Sequence, residues 1–323
     1  MQNKLFLSFF TLLMGITLYA NDILTDYRLH GLANIEKHMD QELASKRYWI
    51  NYLNTQDTHF GFIELYNNIL VCNKHDSTLC VYRKDDNNSY TLKKKYAAYT
   101  GKNQGNKSKE GDLKTPIGLY NLTQKISKID SFYGPLAFVT SYPNIYDKYN
   151  GKKGHGIWIH GLPTDQKRDS FTKGCIAIGN DSIKCLDKHL NISKTILIID
   201  KEEVTKKVSK EKLSIVLAQL YAWRYAWLYN DTEAYLNFYT KNFTRFDGMA
   251  YNAFVKYKTR IFKKQEKKKI VFSQINVLPY PQTDNIYKIS FKEFYQSDSF
   301  TFSGDKTLIV KLINNSIEIL TEK

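Results

Sequence analysis

Carboxylates are in short supply: 32 Asp and Glu face 47 Lys and Arg among 323 residues, a formal charge of +15. Cysteine is sparse, with four residues, too few for a disulfide-built scaffold. Beyond the first twenty residues no apolar run approaches the length at which a helix crosses a bilayer. No nucleic-acid-binding motif occurs. His155, His160, Cys175, Cys185 and His189 show none of the compact spacings of a zinc site, which leaves a zinc peptidase unsupported. What is present is ample for globular folding, 42% hydrophobic and 14% aromatic, so disorder is excluded as well. The length calls for two or three domains.

Lys4 opens a short basic region, Leu5 to Leu18 is almost wholly apolar, and Leu18-Tyr19-Ala20 ends in a small residue. This reads as a secretory signal peptide over residues 1–20, cleaved after Ala20 or, as the alternative, kept as an anchor, and it predicts export to the periplasm. A basic exported chain suits an anionic polymer such as wall peptides carrying carboxylates or lipid headgroups, and export argues against nucleic acid as partner. Cys72 and Cys80 flank the polar tip Asn73 to Leu79 of a hairpin-like pair. A disulfide between them depends on a register that spacing alone leaves open. Cys185, beside Ile183 and Leu186, reads as core, and Cys175 is then the thiol with no structural task.

Asp22 to about Gln56 reads as helical, with Leu24, Tyr27, Leu32, Ile35, Met39 and Leu43 near helical spacing. Such a stripe covers its own chain or a second copy, making a homodimer. Residues 58–200 form a mainly β unit, with strands expected at Phe60–Val71, Thr78–Arg83, Ser89–Tyr99, Ile117–Leu122, Leu136–Thr140, Ile157–His160, Cys175–Ile178 and Ile196–Ile199. Asn180 or Asp181 is placed to cap a helix through Leu190. Charge dominates 201–212, a linker. From 213 to 323 come helices at Leu213–Trp227, Asp231–Phe243 and Tyr251–Phe262, then strands at Ile270–Leu278, Ile286–Tyr295, Thr307–Ile313 and Ile317–Leu320. The fold class is therefore α+β and multidomain. The order of these last elements, with Trp-Arg-Tyr-Ala-Trp and Tyr-Leu-Asn-Phe-Tyr, resembles the NTF2-like cone. No acid–base pair is evident in it, which favours a holding or assembly role.

Chemistry concentrates between Gly154 and Ile178. Ile157-Trp158-Ile159 is a short buried strand that ends on His160, and Gly161-Leu162-Pro163 turns the chain. Thr172-Lys173-Gly174-Cys175 is a tight turn whose glycine admits close backbone approach. His160, eleven intervening residues, then Thr172-x-Gly174-Cys175 closely resembles the signature of the L,D-transpeptidase (YkuD-type) family. Thr100-Gly101-Lys102 and Gly111-Asp112-Leu113-Lys114-Thr115-Pro116-Ile117-Gly118 fit the family's second motif beside its cleft.

The resemblance implies a Cys175 nucleophile, a His160 base whose other nitrogen is held by the Gly161 carbonyl, and a peptidoglycan stem peptide as substrate. It calls for no cofactor and no metal. Amides of Gly174 and Cys175 are the expected oxyanion donors. Trp158, Thr172, Lys173 and His155 are the candidates for touching substrate. For Lys173 a solvated turn role stands equally open, and for His155 a surface or structural role is the better default. Ala177 occupies the position where the family normally carries Arg, and Lys173 one where it often has His. With the NTF2-like tail, these departures resemble the L,D-carboxypeptidases that trim tetrapeptides and set helical cell shape in curved Gram-negative bacteria. Transpeptidation and non-catalytic binding of wall peptides remain the alternatives.

Overall fold

A computed structural model of the chain describes residues 3–165, 169–202 and 208–323, with side chains from residue 23 onward. The leader read at residues 1–20 lies outside the described side chains. Residues 203–207 of the expected linker lie outside the description altogether.

Helix α1 (Asn3–Leu43) bends at Gly31, where φ is 76°, and α2 (Lys46–Leu53) follows. The single helix expected over Asp22–Gln56 is thus broken at Ala44-Ser45, where the Trp49 indole N–H donates to the Leu43 carbonyl at 2.7 Å. β1 (Phe62–Ile63), β2 (Asn68–Asn73), β3 (Thr78–Lys84), β4 (Tyr90–Tyr99), β5 (Gly118–Ile126) and β6 (Ala137–Thr140) come next. After them stand α3 (Ile145–Tyr149), β7 (Trp158–His160), β8 (Ile176–Ile178), α4 (Asn180–His189) and β9 (Thr195–Asp200). Eight of these strands close a barrel in the order β2-β3-β4-β8-β7-β6-β5-β9.

Phe60–Val71 is not one strand. Glu64 and Leu65 turn away to bond the backbone of Ile275 and the side chain of Asn276, so β1 pairs with a different sheet. Register settles the thiols: Val71 faces Cys80 and Cys72 faces Leu79, so the two cysteines point to opposite sides of the sheet. No disulfide joins them. Helix α4 also differs from expectation. Gly179 is its N-cap and no side chain caps it, because the Asn180 carboxamide oxygen accepts from the Leu162 N–H at 2.8 Å instead.

The remainder is α5 (Lys210–Leu228), α6 (Thr232–Leu236), α7 (Tyr251–Phe262), β10 (Lys268–Pro279), β11 (Ile286–Ser297), β12 (Thr301–Ile313) and β13 (Ser316–Glu322). The strands form a sheet β1-β10-β11-β12-β13. The helix expected to Phe243 stops at Leu236, because the backbone at Phe238 and Thr240 bonds Ile319 on β13. Alternation gives this sheet two buried faces. Tyr287, Ile289 and Phe291 pack on the helices, and Ile286 and Leu278 pack on Ile69, Leu119 and Ile198 of the barrel. Trp49 and Leu53 of α2 join the helix-side core, and a buried Arg224–Asp40 pair at 2.6 Å ties α5 to α1.

Candidate active site

Two short parallel strands, β7 and β8, carry the site. Ile159 is level with Ile176 and His160 with Ala177. The side-chain period of two puts Ile159, Ile176 and Ile178 in the barrel core. His160 and Ala177 take the other face, and Cys175, two residues before Ala177, shares it. Ile-Trp-Ile-His and Cys-Ile-Ala-Ile are one pattern, apolar inward and chemistry outward.

His160 is 1% exposed. Its Nδ1–H donates to the Gly161 carbonyl oxygen at 2.7 Å, which fixes the tautomer and leaves Nε2 as the basic nitrogen. The Tyr133 ring meets the imidazole edge-on, centroids 5.1 Å apart, and holds its plane. Gly161 must be glycine here: a Cβ would lie 2.4 Å from Asn180 Oδ1 and 2.7 Å from Pro135 Cδ. The Cys175 thiol donates to the Gly156 carbonyl oxygen at 3.4 Å.

The turn before the thiol is held by Thr172, whose hydroxyl accepts from the Gly174 N–H at 2.9 Å and donates to the Cys175 carbonyl at 2.7 Å. The Gly174 N–H, expected to face an oxyanion, is therefore occupied within the turn. Glycine is required because φ is +136° and a Cβ would sit 2.9 Å from the Lys114 carbonyl oxygen. Thr172 also pairs through its backbone with Thr100 and Lys102, and the Gly101 N–H donates to Thr115 Oγ1 at 2.8 Å. The two sequence motifs are thus stitched into one wall.

Asp112 organises the loop over that wall. It accepts from the amides of Ser108 (2.8 Å), Lys109 (3.1 Å) and Lys114 (3.1 Å) and from the buried Lys107 ammonium (2.7 Å). Burial opposes its charge, yet the Lys107 ammonium and these amides hold its carboxyl far below the usual carboxylate range. Lys74, buried beneath the same loop, donates to the carbonyls of Gly105 and Thr115.

His160 and Cys175 line one cavity of about 560 Å³ together with Thr172, Lys173, His155 and Tyr133. Lys173 is exposed at its lip, and His155 stands exposed with its Nε2 3.4 Å from Glu110. Trp158 is not among the lining residues. Its ring packs on Tyr133, centroids 5.2 Å apart. Tyr133 and Phe132 enter the cavity from the β5–β6 connection, which carries no motif. The signal for Asn180 was visible but pointed to helix capping. Among the described residues no three His, Cys, Asp or Glu side chains cluster as metal ligands do.

The cone is also more polar than its sequence implies. Glu293, Glu322 and Lys258 are buried inside it, with Lys306 3.2 Å from Glu322 and the Lys258 ammonium 4.9 Å from the Trp227 ring centroid.

Comparison with known proteins finds a family match for each of two stretches. The model of the L,D-transpeptidase catalytic domain matches residues 67–199, and that of the Cds6 C-terminal NTF2-like domain matches residues 215–323. The crystal structure of the helical cell shape determining protein Pgp2 from Campylobacter jejuni is 38% identical. It superposes with a TM-score of 0.78 over 87% of this chain and 99% of that one. Bd1075 from Bdellovibrio bacteriovorus is 27% identical with a TM-score of 0.65, over 83% of this chain and 96% of its own. YafK of Escherichia coli K12 is 33% identical over 111 residues, 34% of this chain and 42% of YafK, so less than half of that curated relative is matched. With both family models matched and 99% of Pgp2 covered at 38% identity, the chain belongs to the L,D-transpeptidase family, in the form that carries a C-terminal NTF2-like domain.

Proposed function

We propose that the protein is a peptidoglycan L,D-carboxypeptidase that removes the terminal D-Ala of stem tetrapeptides through a thioester on Cys175. The observation that carries this reading is the tautomer lock. With Nδ1–H spent on the Gly161 carbonyl, His160 has one basic nitrogen to offer, in the same cavity as the thiol. In the first step the Cys175 proton passes to Nε2 and sulfur attacks the carbonyl of the third residue. The imidazolium then returns the proton to the departing D-Ala amine as its C–N bond breaks. Water, deprotonated by the same nitrogen, cleaves the thioester and frees the tripeptide and the thiol. Because Thr172 occupies the Gly174 amide, the oxyanion falls to the amide of Cys175.

Hydrolysis is favoured over transfer by Ala177. This residue is fully buried beside His160, at the position where the family's guanidinium would handle a second peptide. Incubation with purified disaccharide-tetrapeptide, followed by mass analysis, separates the outcomes. Loss of one alanine is the expected product, a cross-linked dimer would assign transpeptidation, and unchanged substrate would assign a binding protein. The likeness to Pgp2 supports a part in cell shape, and the N-terminal leader supports a periplasmic site. Leu24, Tyr27, Leu29 and Leu32, exposed on α1, suit a homodimer. Sedimentation that finds only monomer at micromolar concentration would remove that part of the proposal.

A further inference from the structure

Away from the catalytic cleft, the barrel and the C-terminal sheet enclose a second cavity of about 340 Å³. Its lining holds four cationic side chains, Lys148 from the barrel side and Arg245, Lys288 and Lys323 from the C-terminal domain, and no Asp or Glu. Lys288 lies on the barrel-facing side of β11 and is 6% exposed. Its ammonium donates to a neutral group, Asn121 Oδ1 at 3.3 Å, an oxygen that also accepts from the Tyr66 hydroxyl at 3.2 Å. One carboxylate and one main-chain oxygen bear on the surroundings. Asp247, outside the lining, bridges Arg245 at 2.5 Å, and the Lys323 carbonyl oxygen is bonded by the Thr307 N–H at 2.9 Å.

A buried ammonium is normally matched by an anion, since its lost hydration is otherwise uncompensated. Among the described residues no carboxylate offsets the Lys288 ammonium, which burial pushes down to about 8. Lys258 makes the contrast within the same domain: it is equally buried but has Glu322 and Glu293 for neighbours.

We propose that this junction cavity binds a small oxyanion, a carboxylate or a phosphate group, with Lys288 as its buried anchor and Arg245 and Lys148 at its rim. Such a ligand would touch both domains at once and fix their relation. The site is independent of the hydrolytic reading above, because its test reads binding and not turnover.

The test is thermal unfolding of the full chain titrated with sodium phosphate, sodium acetate or sodium chloride at matched ionic strength. Phosphate or acetate should raise the midpoint saturably where chloride does not. A rise with phosphate alone assigns a phosphate ligand, and a rise with acetate assigns a carboxylate. In Lys288→Met the apparent affinity should fall at least about tenfold, the usual scale for losing a hydrogen bond to a charged group. Should that variant fail to fold, Arg245→Gln must still weaken the response at least about threefold. An equal response to all three salts, or full retention in the variants, overturns the proposal.

Discussion

Thr172 shows how much one hydroxyl does in this site. It closes the turn before Cys175 with two hydrogen bonds and leaves the barrel core untouched. Thr172→Val keeps the volume and loses both bonds, so kcat should fall about tenfold to a hundredfold while KM and the melting midpoint stay near wild type. A variant that loses KM instead would show that Thr172 holds substrate. Gly161→Ala is a different experiment, because its Cβ meets Asn180 and Pro135. The expected cost is about 1–3 kcal/mol of stability, read by urea unfolding, with activity lost as the imidazole shifts. The arrangement of His160, Gly161, Gly174 and Cys175 was legible because its requirements are local: a tautomer lock, a close approach, a positive φ and a thiol on the same cavity wall. Tyr133 was not, because a loop between two strands supplies it and only the barrel's closure brings it to His160. The disulfide left open between Cys72 and Cys80 fails for a related reason. One residue of register decides which face a thiol takes.

Most elements followed from periodicity, and the exceptions are those decided by distant partners. The stretch Phe60–Val71 has strand composition throughout, yet Asn276 and Ile275 divide it between two sheets. Asp231–Phe243 has helical spacing, but β13 takes its second half. The N-terminal helices make the same point energetically. Asp40 carries no motif, but it is 5% exposed and pairs with Arg224 across the α1–α5 contact. Asp40→Ala strands a buried guanidinium and should cost about 3 kcal/mol. Asp40→Ala combined with Arg224→Met should recover much of that loss in a double-mutant cycle. A loss under about 0.5 kcal/mol in the single variant would mean that α1 is not docked in solution.

For the molecule as a whole, buried charge gives a pH signature. Lys74, Lys258 and Lys288 are each pushed down to about 8, in every case chiefly by burial. The unfolded chain titrates lysine near 10.4. Between about pH 8 and pH 10 the unfolded state therefore holds protons that the folded state has released, and stability rises with pH. Cys72, pushed up to about 12 by burial, opposes this above about pH 8.5, one proton against three. Buried tyrosines such as Tyr235 and Tyr239, raised chiefly by burial, reverse the trend above about pH 10. Urea midpoints should accordingly be higher at pH 9.5 than at pH 7.5, and the opposite order would contradict the burial of these ammonium groups. The +15 charge and the cone together suit prolonged contact with an anionic wall. The proposed reaction rests on a single sulfur, and the release of D-Ala from disaccharide-tetrapeptide by wild type and Cys175→Ala tests it most directly. The account predicts a loss of at least about a thousandfold with the fold intact. Undiminished release by the folded variant would contradict it.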